Sequence, residues 1–236
     1  MGEVELTMLV LTLMIHAFLS PAAEAKAVAS LARECIPLVI THPHAYFDED
    51  LSAKAGVNAE LKRRKTCNAS IDVLVRDTYP TYLDENLASH FHSSLFGETD
   101  LYIPGAKIEV IGGFFGQCHE RTIESLISNR FAHQDESNLE VVVPIDATYV
   151  FNEADAPHDR ITLSKLLEEK GGDLNQFKTQ NKNLVFNFDM SAALIQRAHP
   201  SVCVIFRFQE SELKYQRVEN CLTQVVINLV ETPSPI

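Results

Sequence analysis

A cysteine stands where a glycine-rich turn meets a helix, and no other segment of this chain is better suited to chemistry. Residues 108–118 read Ile-Glu-Val-Ile-Gly-Gly-Phe-Phe-Gly-Gln-Cys, an apolar strand followed by a turn with three glycines. The amphipathic residues that follow predict a helix beginning at Cys118. Because the positive end of a helix dipole lowers the pKa of a thiol and favours the thiolate, we predict that Cys118 is a nucleophile. Backbone N–H groups of the turn would then stabilise an oxyanion. The alternatives are a buried structural thiol and one half of a disulfide.

The number of cysteines bears on the same question. The chain has five, at positions 35, 67, 118, 203 and 221. An odd number in a secreted chain leaves one thiol over, and Cys118 is the one that we predict to be free. The other four could pair as Cys35 with Cys67 and Cys203 with Cys221, although sequence alone does not determine the connectivity. Five reduced and mostly buried thiols are the alternative.

Other polar side chains are candidates for the same pocket or for a metal. Asp77 follows the predicted strand Ile71–Val75 and is either a pocket residue or a turn carboxylate. His42 and His44 would share a face of an extended segment, as a metal-binding pair does. A third ligand at a suitable spacing is missing, so we predict no metal and no other cofactor. His119 is predicted to lie on the surface.

The elements that must position these residues follow from apolar patterns. Strands are predicted at residues 36–40, 71–75, 107–111, 139–145, 184–188 and 202–208. Helices are predicted at residues 51–65, 84–97, 118–130 and 162–171, in a short segment capped by Ser191, and from about Ser211 onward. Continuously apolar strands that alternate with helices predict an α/β fold, a three-layer αβα arrangement with a mostly parallel sheet. Ligands of such sheets bind at the carboxyl ends of the strands.

Composition narrows the classes of partner. The chain has 236 residues, of which 46% are hydrophobic and 22% charged, and its net charge is -12. Such acidity argues against nucleic acid and against anionic membrane surfaces as partners. No long apolar stretch follows the N-terminal region, so we predict a mature form without membrane association. A small-molecule ligand or a protein partner is expected, and a homo-oligomer stays open.

The N-terminal region resembles a targeting segment. The run Leu6–Leu19 is nearly all apolar, and Ala23-Glu24-Ala25 has the small residues that a signal peptidase accepts. We predict a signal peptide over residues 1–25 and a secreted or lumenal protein, whereas a buried N-terminal helix in a cytoplasmic protein is the alternative. Asn68-Ala69-Ser70 would then be a glycosylation site. The basic run Lys62–Lys65 is either a helix end or a processing site.

Several segments together resemble the isochorismatase-like cysteine hydrolases, which include the nicotinamidases. The matching segments are the strand 108–112 with Cys118 and Thr122, the stretch Ser94-Leu-Phe-Gly-Glu-Thr-Asp-Leu101, the stretch Val141–Thr148, the strand Leu38–Ile40 and the segment Arg76–Pro80. The likeness covers roughly residues 35 to 175. It implies a core domain over residues 26–180, with residues 181–236 as its C-terminal part or an extension.

The resemblance also implies catalytic positions, and this chain departs from them. The family has a catalytic Asp directly after the first strand, where this chain has Thr41. The family's catalytic Lys precedes the Ser-x-Phe stretch, where this chain has His90. Nicotinamidases bind a metal through an Asp-x-His element; Asp77 is present here, but Tyr79 replaces the histidine. A nucleophile without its usual base has no ready route for removing the thiol proton.

Two functions follow from these observations. In the first, the chain binds a small molecule or a partner and has weak or no hydrolase activity. In the second, it is an active cysteine hydrolase of a small amide or ester-like substrate, and a histidine replaces the Asp and Lys. Both place Cys118, Thr41 and His90 at the catalytic positions. Both also expect a set of substrate-contacting residues, Asp77, Phe96, Phe114, Phe115 and Gly116.

Overall fold

Helices cover both faces of a central sheet whose strands are the most apolar segments of the chain. The computed structural model describes residues 36–44, 52–64, 69–76, 81–83, 90–151, 160–169, 182–208, 211–216 and 221–231. The strands are β1 (Leu38–Thr41), β2 (Ile71–Val75), β3 (His90–Ser93), β4 (Lys107–Gly112), β5 (Leu139–Pro144), β6 (Tyr149–Phe151), β7 (Arg160–Thr162), β8 (Val202–Phe208), β9 (Ser211–Gln216) and β10 (Thr223–Val230). The helices are α1 (Ser52–Arg63), α2 (Cys118–Ala132), α3 (Leu163–Glu169) and α4 (Lys182–Ala198), with a 3₁₀ turn at Ile145–Ala147.

Eight of these strands form one sheet, in the order β3-β2-β1-β4-β5-β10-β8-β9. Neighbouring strands pair in parallel, except that β8 and β9 are antiparallel. The predicted α/β fold with a mostly parallel sheet is therefore confirmed. In such a sheet the carboxyl ends of the parallel strands lie along one edge, where ligands bind.

Alternate residues of each inner strand supply the two faces of the core. Leu38 of β1 packs on one face with Val57 of α1. The next residue, Val39, packs on the other face with Ile123 of α2 and Ile195 of α4. Successive side chains of a strand point to opposite faces, so a strand that is buried on both sides is mostly apolar. This requirement is why the apolar runs predicted the inner strands well.

The predicted helix over residues 84–97 is wrong where the structure describes it, because His90–Ser93 forms strand β3 at the edge of the sheet. The i, i+4 spacing of Phe91 and Leu95 suggested an apolar helix face, yet both side chains are exposed. β3 pairs in parallel with β2. Tertiary pairing with β2 therefore outweighed a weak local helical pattern.

The predicted strand at residues 184–188 is also wrong, because these residues belong to helix α4. Ser191, predicted as the cap of a short helix, lies inside α4 and is fully buried. The spacing of Ser191, Ala192 and Ile195 places a buried stripe on one side of this helix. A short apolar run fits a strand and a buried helix equally well, so its length in the fold decides between them.

The C-terminal helix predicted from Ser211 is replaced by two strands, β9 and β10. Buried and half-buried residues alternate along β10, and this strand lies between β5 and β8 inside the sheet. The C-terminal strands β8, β9 and β10 therefore belong to the same sheet as β1, β2 and β4. A disulfide joins Cys203 and Cys221, which are 18 residues apart, as one of the predicted pairs. Closing a loop of that length stabilises a fold by roughly 3 kcal/mol, because the cross-link lowers the conformational entropy of the unfolded chain.

Some predictions concern positions outside the described residues. These are the signal peptide over residues 1–25, Asp77, the Asn68 sequon, Lys65 of the basic run, and the pair Cys35 and Cys67. In the part of the chain that the structure describes, no helix is long and apolar enough to cross a membrane.

Candidate functional site

The glycine-rich turn after β4 has a backbone that requires glycine. Gly112, Gly113 and Gly116 have φ values of 71°, 60° and 86°, in the left-handed region. A Cβ atom on Gly112 would lie 2.4 Å from the carbonyl oxygen of Thr41. The carboxyl ends of β1 and β4 are therefore in close contact, and the turn carries the chain directly from this contact into α2.

The sulfur of Cys118 lies beneath this turn at the first residue of α2. The N–H of Phe114 donates to Cys118 Sγ, with 3.1 Å between the two atoms. The side chains of Phe114, Tyr149 and Cys118 form a small cluster, in which the two rings are 5.5 Å apart. Cys118 is partly exposed and is the free cysteine of the described residues, as predicted.

The chemical state of this thiol differs from the prediction. Burial raises the pKa of Cys118 to about 11; the N–H of Phe114 lowers it, and the negative charge of Glu120 raises it again. The helix dipole was expected to favour the thiolate, but withdrawing the sulfur from water disfavours the charged form more strongly. Cys118 is therefore a protonated thiol at neutral pH.

Thr41 and Cys118 both approach Gly113 of the turn, since a Cβ there would lie 3.0 Å from Thr41 Cγ2 and 3.2 Å from Cys118 Sγ. The hydroxyl of Thr41 takes part in a structural network. Thr41 Oγ1 shares a hydrogen bond of 2.9 Å with Thr122 Oγ1. Thr122 Oγ1 also lies 2.9 Å from the carbonyl oxygen of Gly97 and 3.1 Å from that of Cys118. This network ties β1 to the first turn of α2. A buried hydroxyl in such a network does not accept a proton from a thiol near neutral pH.

The loop after β3 packs against the first turn of α2. The N–H of Gly97 donates to Ser94 Oγ at 2.9 Å, and Gly97 has a φ of 97°. A Cβ atom on Gly97 would lie only 2.1 Å from the carbonyl oxygen of Cys118. In the same loop Phe96 is 60% exposed. The guanidinium of Arg76, which directly follows β2, lies 5.8 Å from the centre of the Phe96 ring, so the aromatic face of this loop lies next to a cation.

His90 is not brought to the thiol. Its Nδ1 lies 3.5 Å from Asp72 Oδ1, and the Nε2 of His92 lies 2.9 Å from the same oxygen. His90 belongs to β3, which is separated from β4 by β2 and β1. Three strand spacings amount to about 14 Å, beyond the reach of an imidazole. His90 and His92 also share a strand face, whereas the predicted helix would have separated them.

The structure places the predicted substrate-contacting residues in different environments. Phe114 lies at the thiol and Phe96 is exposed in the neighbouring loop. Phe115 is fully buried in the main core, with its ring 6.2 Å from that of Phe206, so it has no surface to offer a ligand. The N–H of Gly116 donates to Glu120 Oε2 and is already engaged. The remaining candidate, Asp77, lies outside the described residues.

Two buried histidines, His42 and His44, lie just after Thr41. The His42 and His44 rings stack with centres 5.4 Å apart, and the Nε2–H of His42 donates to the carbonyl of Ser94 at 3.2 Å. Burial lowers the pKa of His42, and it lowers the pKa of His44 to about 4, so both rings are neutral at physiological pH. His44 Nε2 accepts the N–H of Arg76 at 3.3 Å. Within the described ranges no group of three or more His, Cys, Asp or Glu side chains could hold a metal ion.

His119 was predicted on the surface and is fully buried. Its Nε2–H donates to the carbonyl of Val110 at 3.2 Å, and its ring lies 5.8 Å from that of Phe115. The prediction was wrong because His119, Ile123 and Ile127 share the inward face of α2. Their i, i+4, i+8 spacing was a signal for this burial.

Comparisons with protein-family models, with curated proteins and with solved structures found no match to this chain. Inferences about function therefore rest on the residues of the site. These residues are a protonated thiol under a glycine turn, a threonine at the end of β1, and an aromatic loop with an adjacent guanidinium.

Proposed function

We propose that this chain is a small-molecule-binding protein of isochorismatase-like architecture, whose Cys118 site has weak or no hydrolase activity. One observation carries the proposal: Cys118 is a protonated thiol without a proton acceptor among the described residues. Its pKa is about 11, and no side chain among the described residues is hydrogen-bonded to its sulfur. A cysteine nucleophile needs its proton removed, and the leaving group needs one returned.

The placement of the site supports the architectural part of the proposal. Cys118 opens the helix that follows β4, and Thr41 ends the neighbouring strand β1. The family resemblance assigns the nucleophile to the first position and the catalytic Asp to the second. The chain therefore retains the position of the nucleophile, while a hydroxyl bonded to Thr122 stands where a carboxylate would be needed.

The loop after β3 supports the binding part. Gly97 packs against Cys118 in the first turn of α2, the preceding Phe96 ring is exposed, and the Arg76 guanidinium lies 5.8 Å from the centre of that ring. An aromatic face suits the apolar part of a small molecule, and a guanidinium suits a carboxylate. The expected ligand is therefore a small planar compound that carries a negative charge.

Hydrolysis and binding assays test this proposal. We expect nicotinamide and p-nitrophenyl acetate to be hydrolysed no faster by the native protein than by Cys118→Ala. We expect nicotinate or benzoate to raise the melting temperature, and Arg76→Met to abolish that increase. Turnover that depends on Cys118 would establish the competing function, an active hydrolase. The absence of a temperature increase with either carboxylate would reject the binding proposal.

We also infer that the protein follows the secretory route. The apolar run Leu6–Leu19 and the disulfide between Cys203 and Cys221 support this, because disulfides persist in oxidising compartments. Expressed in cultured animal cells, the full chain should appear in the medium without residues 1–25 and with a glycan on Asn68. Retention in the cytosol with both thiols reduced would contradict the inference.

A further inference from the structure

The first turn of α2 buries two titratable side chains that the proposed function does not use. His119 and Glu120 are both fully buried. Glu120 Oε2 accepts the N–H of Gly116, while Glu120 Oε1 lies 3.4 Å from His119 Nδ1. Neither of these last two atoms has a hydrogen-bond partner among the described residues. Burying a carboxylate is costly unless its interactions compensate, so this arrangement needs an explanation.

We propose that Glu120 is a positioning residue for Cys118: its carboxylate holds the Gly113–Gln117 turn in place, and its negative charge disfavours the thiolate. The inference rests on the proposed function, because it explains why Cys118 is a poor nucleophile. It attributes the low reactivity of Cys118 to the charge of Glu120, in addition to the lack of a general base among the described residues.

The positioning part follows from the hydrogen bonds of the turn. Glu120 reaches back from α2 to the N–H of Gly116. The same turn is closed by the N–H of Gln117, which donates to the carbonyl of Phe114 at 2.9 Å. Phe114 in turn donates its own N–H to Cys118 Sγ. Moving Gly116 would therefore move the N–H group that contacts the sulfur.

The electrostatic part follows from the groups around the sulfur. Glu120 is the charged side chain whose field acts on Cys118. Tyr149 packs against Phe114 and Cys118 from β6, and Thr41 approaches from β1; neither carries a charge near neutral pH. His42 follows Thr41, and burial lowers its pKa, so it is neutral as well. The His119 ring also faces this carboxylate, with Nδ1 3.4 Å from Glu120 Oε1. A carboxylate close to the sulfur makes a second negative charge there unfavourable.

The pH dependence of thiol alkylation tests the electrostatic part. Iodoacetamide modification of Cys118 is measured by mass spectrometry between pH 6 and pH 11 for the native protein, Glu120→Gln and Glu124→Gln. Removing the charge of Glu120 should lower the apparent pKa of Cys118 by about one unit, which makes alkylation at pH 8 about tenfold faster. Glu124 lies on the same helix but pairs with Arg121 near the surface, so its variant should retain the native profile.

Two further measurements distinguish the electrostatic role of Glu120 from its positioning role. Glu120→Asp retains the charge but shortens the side chain, so its apparent pKa should stay near the native value. In the native protein, the Gly116 amide should exchange with solvent slowly, because Glu120 accepts its N–H. A native-like profile for folded Glu120→Gln would overturn the electrostatic part, and rapid exchange at Gly116 would overturn the positioning part. Both readouts are independent of ligand binding and hydrolysis, so the proposed function can fail without affecting them.

Discussion

Replacing Gly97 by alanine should lower the free energy of unfolding by about 4 kcal/mol. Roughly 1 kcal/mol of this arises because alanine is strained at a φ of 97°. The larger part, about 3 kcal/mol, arises because the new Cβ would lie 2.1 Å from the carbonyl oxygen of Cys118. That neighbour is backbone in the first turn of α2 and cannot rotate away, so the loop itself must move.

Denaturant unfolding of Gly97→Ala and Gly105→Ala measures the two contributions separately. Gly105 also has a positive φ, of 110°, but a Cβ there would meet no atom within 4 Å. The Gly105 variant should therefore lose only about 1 kcal/mol, from strain alone. Equal losses in the two variants would show that the loop after β3 does not pack on α2 as described. Because the loop carries Phe96, the Gly97 variant should also bind benzoate more weakly.

Replacing Glu109 by leucine should lower the free energy of unfolding by a similar amount, about 4 kcal/mol. Glu109 Oε2 lies 2.9 Å from Nη2 of Arg64, and their side chains are 0% and 2% exposed. Removing the carboxylate leaves a buried guanidinium that has lost its ion pair with Glu109. Burying this guanidinium costs free energy in the folded state only, because Arg64 is hydrated in the unfolded chain. The equilibrium therefore shifts toward unfolding.

A double-mutant cycle and a surface pair provide the controls. Arg64→Met combined with Glu109→Leu removes both charges, and it should be within about 1 kcal/mol of the native stability. Lys107, on the same strand, lies 3.2 Å from Glu140 in an exposed pair. Lys107→Met should therefore cost less than about 1 kcal/mol. If the double variant is as unstable as Glu109→Leu alone, the buried charge is not the cause of the loss.

Strands buried on both faces were predictable because their burial leaves a direct trace in the sequence. β2 and β8 were predicted with their observed bounds, and β1, β4 and β5 within one or two residues. Apolar and β-branched residues make up most of each of these strands, as a two-sided core requires. The start of α2 at Cys118 was also predicted, because three glycines mark a turn that only glycine tolerates.

Edge and C-terminal elements were not predictable in the same way. β3 exposes Phe91, and its existence depends on pairing with β2. β10 carries a spacing that fits a helix as well as a strand, and the gap between β5 and β8 selects the strand. Local patterns do not record which neighbour a segment will meet, so such choices belong to the tertiary structure.

The candidate site also combines features that local sequence predicts with features that depend on tertiary packing. The sequence by itself determined that a cysteine follows a glycine turn at the carboxyl edge of a parallel sheet, because strand burial and turn geometry are local properties. Only the tertiary structure decided the state of that cysteine. Burial of Cys118, the bond between Thr41 and Thr122, the inward position of Glu120 and the distance of His90 all depend on packing between segments far apart in the chain. The pKa of a thiol is set by its solvation and by nearby charges, and both arise only when those segments come together.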